Sequence, residues 1–267
     1  MLASAFALNM QLVAQGWLVY EMTSSAINLT WVTLSFMLPQ VVFSLLGGVL
    51  ADRVRKKPLI GWTPVINGVA TLAMGGVIMS GHVTFWDFIW VGALNGTVLS
   101  LSIPARTALI PEVVGENLMF NAMAFNTASW NLSRILGPAL AGFMIAIFAD
   151  GDTSSTFGVG LVYFLLSILY FVSAISVLFL KHEGRPVPGE RKSPMAETAD
   201  GLRYVMNSPI VGGLILLSIL PFLFGLTINT LLPAFSTDVL QGGPDDLGFL
   251  MTGMGWGAIL VSLALGH

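Results

Sequence analysis

Long apolar runs alternate with short polar breaks along this chain, and the lengths of the runs decide its class. Met1 to Tyr20 is the first run, and Glu21 to Asn28 (EMTSSAIN) the first break. Leu29 to Leu50 follows, with Pro39 a kink that neighbouring helices can tolerate. Leu59 to Ser80 and Phe85 to Ile103 are the third and fourth runs, separated by a turn near Trp86, which with Trp90 suits a membrane interface. Pro104 to Asn117 (PARTALIPEVVGEN) is too polar to cross a bilayer and is expected to be a connector. Leu118 to Phe148 and Gly158 to Leu180 come next, around a turn at Ala149 to Phe157. Lys181 to Asn207 is the longest polar stretch, followed by Pro209 to Leu232, broken at Pro221, and by Leu247 to His267. A helix needs about 20 apolar residues to span a bilayer core, and each run is of that order.

Composition agrees. The 267 residues are 55% hydrophobic and only 9% charged, with a mean hydropathy of +0.83, whereas soluble domains carry roughly 25% charged residues. Cysteine is absent, which excludes a disulfide framework, a thiolate metal site and a cysteine nucleophile. The three histidines, His82, His182 and His267, lie outside the apolar runs or at the chain end, and offer no metal site. A membrane enzyme would need histidines or carboxylates clustered at an interface, and no such cluster is present. The expectation is a protein that is not an enzyme, holds no cofactor or metal and binds no nucleic acid.

The charges sort by side. Arg53, Arg55, Lys56 and Lys57 fall between runs two and three, Arg106 between four and five, and Lys181, Arg185, Arg191, Lys192 and Arg203 between six and seven. The alternate turns hold Glu21, Asp87, Asp150, Asp152, Asp238, Asp245 and Asp246 and no cation. Cationic loops stay cytoplasmic, so the chain is expected to be a multi-pass protein of the inner (plasma) membrane with its basic loops inside. Eight runs with a long basic linker after the sixth predict an all-α bundle: residues 1–180 as a six-helix half lacking the start of its first helix, 181–207 as a cytoplasmic linker, and 208–267 as the first two helices of a truncated second half. On that register His267 falls where a second basic hairpin would begin.

Three features carry candidate chemistry. The first is the hairpin GGVLADRVRKKPLI (Gly47 to Ile60), where Gly48 permits close helix approach and Asp52 sits at a helix end that disfavours a carboxylate without a cation. The second is Gly137-Pro138 with Gly142, where a missing backbone donor and small residues should bend the helix against a neighbour. The third is Arg134, deep in the fifth run, where an arginine costs about 2.5–3.5 kcal/mol on insertion scales and must face a cavity or a partner. Asn131 and Asn126 lie on broadly the same helical face, and Asn9, Gln11, Gln15 and Asn95 add polar groups within neighbouring runs. Substrate contact and a structural role held by these amides are both open for Arg134.

The pattern Gly-x-x-x-Asp-Arg-x-x-(Arg/Lys)-(Arg/Lys) at Gly48 to Lys57 resembles the loop between helices 2 and 3 of the major facilitator superfamily. Together with WLVYEMTSS (Trp17 to Ser25), PARTALIPEVV and RILGPALAG (Arg134 to Gly142), it is similar to the enterobactin-exporter-like efflux branch. One departure is Arg55, where the family's loop carries a glycine three positions after the Asp. The resemblance implies a bundle of twelve helices, of which about eight are present, and a secondary active transporter working by alternating access. It implies an efflux permease for small amphipathic molecules, drug- or siderophore-like, with a midplane site drawn from Arg134, Asn131, Asn126, Asn9, Gln15 and Asn95. It also implies a conformational latch at Gly48, Asp52, Arg53 and Arg106, an exporter-type kink at Gly137, Pro138 and Gly142, the lipid bilayer and a small-molecule substrate as partners, and protons as coupling ion. No carboxylate lies mid-run, so a proton carrier among these residues would be Glu21 or Asp52. Uptake of a small polar nutrient on the same fold, or a membrane fragment that does not transport, are the alternatives.

Overall fold

The computed structural model describes residues 2–148, 156–184, 196 and 203–265. Asp150, Asp152, Arg185, Arg191, Lys192 and His267, which enter the charge and register arguments above, lie outside them. The described chain is helical, with no strand: α1 (Leu2–Thr23), α2 (Ala26–Arg53), α3 (Lys56–Met79), α4 (Phe85–Val114), α5 (Met119–Phe148), α6 (Thr156–Leu178), α7 (Pro209–Asp238) and α8 (Pro244–Leu265). Helices α1 to α6 each contain a stretch long and apolar enough to cross a membrane, and α7 opens on the apolar stretch Pro209–Ile219.

Helix ends follow local chemistry. Thr84 and Asp87 form a capping box at the start of α4, with the Asp87 carboxylate accepting from the Thr84 backbone N–H at 2.7 Å. Gly115, at φ +71°, closes the same helix in a conformation that favours glycine. The segment expected to be a connector is therefore helix: α4 runs on to Val114 through Pro104 and Pro111. Within the helices, hydroxyls that lipid would leave unpaired donate back one turn, as Thr63 does to Leu59 O (3.0 Å) and Ser133 to Ser129 O (2.8 Å).

In the bundle α2 packs along α4, α3 along α6, α1 against both α5 and α6, and α8 against α5. A continuous core of Met10, Val13, Trp17, Leu18, Phe88, Ile145, Tyr163 and Leu166 joins α1, α4, α5 and α6. The closest approach of α2 and α4 is set by absent side chains: a methyl on Gly47 would strike the carbonyl of Ser100, and one on Gly96 the carbonyl of Phe36. Without a hydrophobic drive between helices in lipid, such close packing is a main source of association. Ser167 donates to Gly68 O at 3.0 Å and ties α6 to α3. Trp62, Trp86, Trp90, Phe120, Phe125 and Ile168 point outward from the bundle, as lipid-facing residues do.

The basic hairpin joining α2 to α3 is tied down by the segment after α6. The N–H groups of Lys56 and Lys57 donate to the carbonyls of Gly184 (3.2 Å) and Glu183 (3.0 Å), and Lys57 Nζ lies 2.6 Å from Leu180 O. Lys56 is 1% exposed and pairs with Glu112 of α4 at 2.7 Å. Arg55 pairs with Glu183 at 2.8 Å on the surface.

Candidate binding cavities and the charged hairpin

Two cavities divide the polar residues that the sequence groups into one site. The larger, about 500 Å³, lies between α1, α2 and α5 on one side and α7 and α8 on the other. Asn9, Gln15 and Arg134 line it, with Thr33, Asn229 and Thr230. Its apolar wall is Val13, Val19, Val32, Met251 and Met254. Ligand sites for drug-sized molecules span roughly 300–1,000 Å³, so this space is of the right order for one. Arg134 is exposed into it and has neither an ion pair nor a hydrogen bond among the described residues.

The smaller cavity, about 100 Å³, is lined by residues of α1 to α6. Asn95 and Asn126 line this one, with Ser4, Asn67, Arg106 and Tyr170. Asn131 lines neither cavity, and Asn126 and Arg134 belong to different ones. Gln11 is buried beside the smaller space, where its carboxamide oxygen lies 3.4 Å from the Tyr170 hydroxyl. Among the described residues, neither cavity is lined by a carboxylate. The sequence reading missed Asn67, in the middle of α3, and Asn229, in α7; each stood out as a carboxamide within an apolar run.

Arg106 is the largest difference in the charged set. It is a half-buried residue of α4 whose Nε is buried, with Nη1 3.4 Å from Ser4 Oγ, and it is no part of a surface loop. Asp52, its expected partner, is exposed and has no ion-pair partner within 4 Å among the described residues. The side chain that does pair across this end of the bundle is Lys56, with Glu112. Arg53 is exposed at the last turn of α2. Gly48 has open space where a side chain would stand, and its neighbour Gly47 makes the close contact. Consecutive helical positions differ by about 100° in direction, so only one of the pair can face α4.

On α5, Gly137 meets α1, where a methyl would lie 3.0 Å from Asn9 Cβ and 3.3 Å from Met10 N. Gly142 faces α8, and a methyl there would strike the carbonyl of Pro244 and crowd Gly248 Cα at 3.1 Å. Pro138 lies between them, and its ring removes one backbone donor from the helix. Thr252 of α8 lies against the same stretch, with Oγ1 3.1 Å from Ile135 O and 2.7 Å from Gly248 O of its own helix. The Gly-Pro segment is thus the seam between α5 and both α1 and α8.

A bundle of membrane-length helices enclosing a polar-lined central space is the architecture of a helical transporter. A family model described as transmembrane secretion effector matches residues 1–267, and the chain belongs to that family of major facilitator superfamily transporters. It is similar to the uncharacterized MFS-type transporter YfiS of Bacillus subtilis, 24% identical over 93% of this chain and 57% of YfiS. It is 27% identical to the enterobactin exporter EntS of Shigella boydii over 83% of this chain and 50% of EntS. It is 23% identical to the staphyloferrin A transporter of Staphylococcus aureus over 95% of this chain and 62% of that protein. The chain therefore spans about half to three-fifths of the length of these relatives.

Proposed function

We propose that this chain forms the cavity-bearing part of an efflux permease that moves small amphipathic molecules, drug- or siderophore-like, out of the cell by alternating access. The single observation that carries the reading is the cavity of about 500 Å³ between α1, α2 and α5 and α7 and α8, in which a lone guanidinium, Arg134, faces methionines and valines. A cation in an apolar-walled space suits an amphipathic anion, because the charge fixes orientation while the walls accept varied shapes. A relative named as an exporter of enterobactin supports the same direction, and one named as a transporter of staphyloferrin A supports a small-molecule cargo.

In this reading α1 to α6 are one half of the transporter and α7 and α8 belong to the other, with the basic hairpin on the cytoplasmic side. The contacts between the two sets run from the end away from the hairpin, at Tyr20 with Asp238, Gly16 with Pro233, and Gly142 with Pro244 and Gly248, inward to Ile135 with Thr252 and Gly255 at mid-helix. That distribution supports a conformer closed at the outer end. An Asp52 without a cation supports a latch released at the inner end, to be engaged with other cations of the hairpin region when the inner end closes. Neither cavity offers a carboxylate among the described residues, so a proton-carrying role falls to residues outside them, Glu21 and Asp52 among those expected.

The test is transport in oriented membranes. Inverted vesicles from cells expressing the protein should accumulate an amphipathic anionic dye when energised, and right-side-out vesicles should not. Accumulation in right-side-out vesicles alone would replace efflux by uptake.

A further inference from the structure

The smaller cavity holds a cation without a counter-ion. The Arg106 Nε is buried and unpartnered, its Nη1 reaches only Ser4 Oγ at 3.4 Å, and no carboxylate lies within 4 Å of the guanidinium among the described residues. Beside it Asn67 and Asn95 are 4% and 3% exposed, and each buries a carboxamide oxygen that has no donor. A guanidinium taken out of water calls for an anion, and a buried acceptor calls for a donor. All three residues line the same space of about 100 Å³.

We infer that this cavity binds a small hydroxylated carboxylate, with the carboxylate on the Arg106 guanidinium and the hydroxyl proton on the carboxamide oxygen of Asn67 or Asn95. An anion without a hydroxyl would satisfy the arginine and leave the two oxygens unmatched. A neutral polyol would do the reverse. Only a molecule carrying both groups answers the arginine and a carboxamide oxygen together. The volume is well below the roughly 300–1,000 Å³ of drug-sized sites, so the occupant has few heavy atoms. The site lies among α1 to α6 and shares no lining residue with the larger cavity. It does not rest on the transport reading, because it is read by equilibrium binding: absence of transport leaves it standing, and absence of binding leaves transport standing.

The experiment titrates the whole purified chain in detergent with lactate, propionate and glycerol by calorimetry. Saturable binding of lactate is expected, with propionate roughly three- to tenfold weaker for the missing hydrogen bond and glycerol undetected. Arg106→Gln should weaken lactate binding at least about tenfold, since the charge-assisted contact is the stronger one. No saturable binding of lactate, or equal affinity for lactate and propionate, would overturn the inference. So would loss of lactate affinity in Arg134→Gln with retention in Arg106→Gln. Should Arg106→Gln fail to fold, the lactate–propionate–glycerol series on the unaltered protein decides alone.

Discussion

The hydroxyl of Tyr20, near the end of α1, donates a hydrogen bond to Oδ2 of Asp238, at the end of α7 and 218 residues further along the chain. Gly16 touches Pro233 one turn deeper, where a methyl would lie 3.0 Å from the proline Cγ, so the two helices meet at this end. A hydrogen bond to a charged acceptor is worth about 1.5–3 kcal/mol, which corresponds to roughly ten- to a hundredfold in a two-state population. Tyr20→Phe removes the bond and little volume. The chain has no cysteine, so a thiol introduced at Val19, on the wall of the larger cavity, reports opening without background. Thiol labelling of Val19→Cys should quicken about tenfold or more when Tyr20→Phe is added, and an unchanged rate would show that the contact holds nothing shut.

The α5–α8 seam predicts a graded glycine series. Gly142→Ala places a methyl against backbone atoms of Pro244 and Gly248, which cannot swing away as a side chain would. Overpacking of this kind typically costs about 1–3 kcal/mol. Gly253→Ala, on α8 with nothing within 4 Å of the added carbon, should be neutral or slightly stabilising. Thermal unfolding of the two purified variants checks the contrast, and equal melting temperatures would remove the seam from the account of stability.

The bundle itself was legible in the sequence because span length and the sidedness of charge are one-dimensional signals. Arg106 was not legible as a helical residue lining a cavity. Its neighbours Pro104, Pro111 and Glu112 made the segment look like a loop, yet α4 is 30 residues long, or about 45 Å at 1.5 Å per residue, against a hydrocarbon core of about 30 Å. Such a helix protrudes, and its end can carry polar residues on the bundle side without meeting lipid. The division of the polar set was hidden for a related reason. Asn126 and Arg134 are eight residues apart, about 12 Å of rise, and which neighbours each one meets depends on helices far away in sequence. Gly48 was read for close approach from the motif, whereas the packing direction of α2 places Gly47 at the contact.

The Lys56–Glu112 pair predicts an asymmetry between its two deletions. Lys56 is 1% exposed in its side chain and Glu112 30%. Glu112→Ala leaves a buried ammonium without its carboxylate, a loss of about 3–5 kcal/mol for fully buried pairs and somewhat less here. Lys56→Met leaves a carboxylate that water can reach, and its apolar stem refills the site. Chemical denaturation should therefore rank Glu112→Ala as the less stable variant by at least about 1 kcal/mol. The reverse order would mean that Lys56 is held chiefly by its other contacts.

Arg134 separates stability from function more sharply than any other residue of the cavity. It faces the space of about 500 Å³ and has no ion pair or hydrogen bond among the described residues, so its removal takes away no polar contact among them. An arginine at membrane depth costs about 2.5–3.5 kcal/mol on insertion scales, and Arg134→Ala relieves that cost. Expression and melting temperature should accordingly be unchanged or raised. Transport of an amphipathic anion should fall at least about tenfold, because the one cation that lines the larger cavity among the described residues is gone. Arg134→Lys restores the charge without the planar fork and should recover part of the rate. A variant with Ala at this position that is stable and transports normally would move substrate recognition to the carboxamides of Asn9, Gln15 and Asn229. A variant that fails to fold would instead mean that Arg134 is a structural residue.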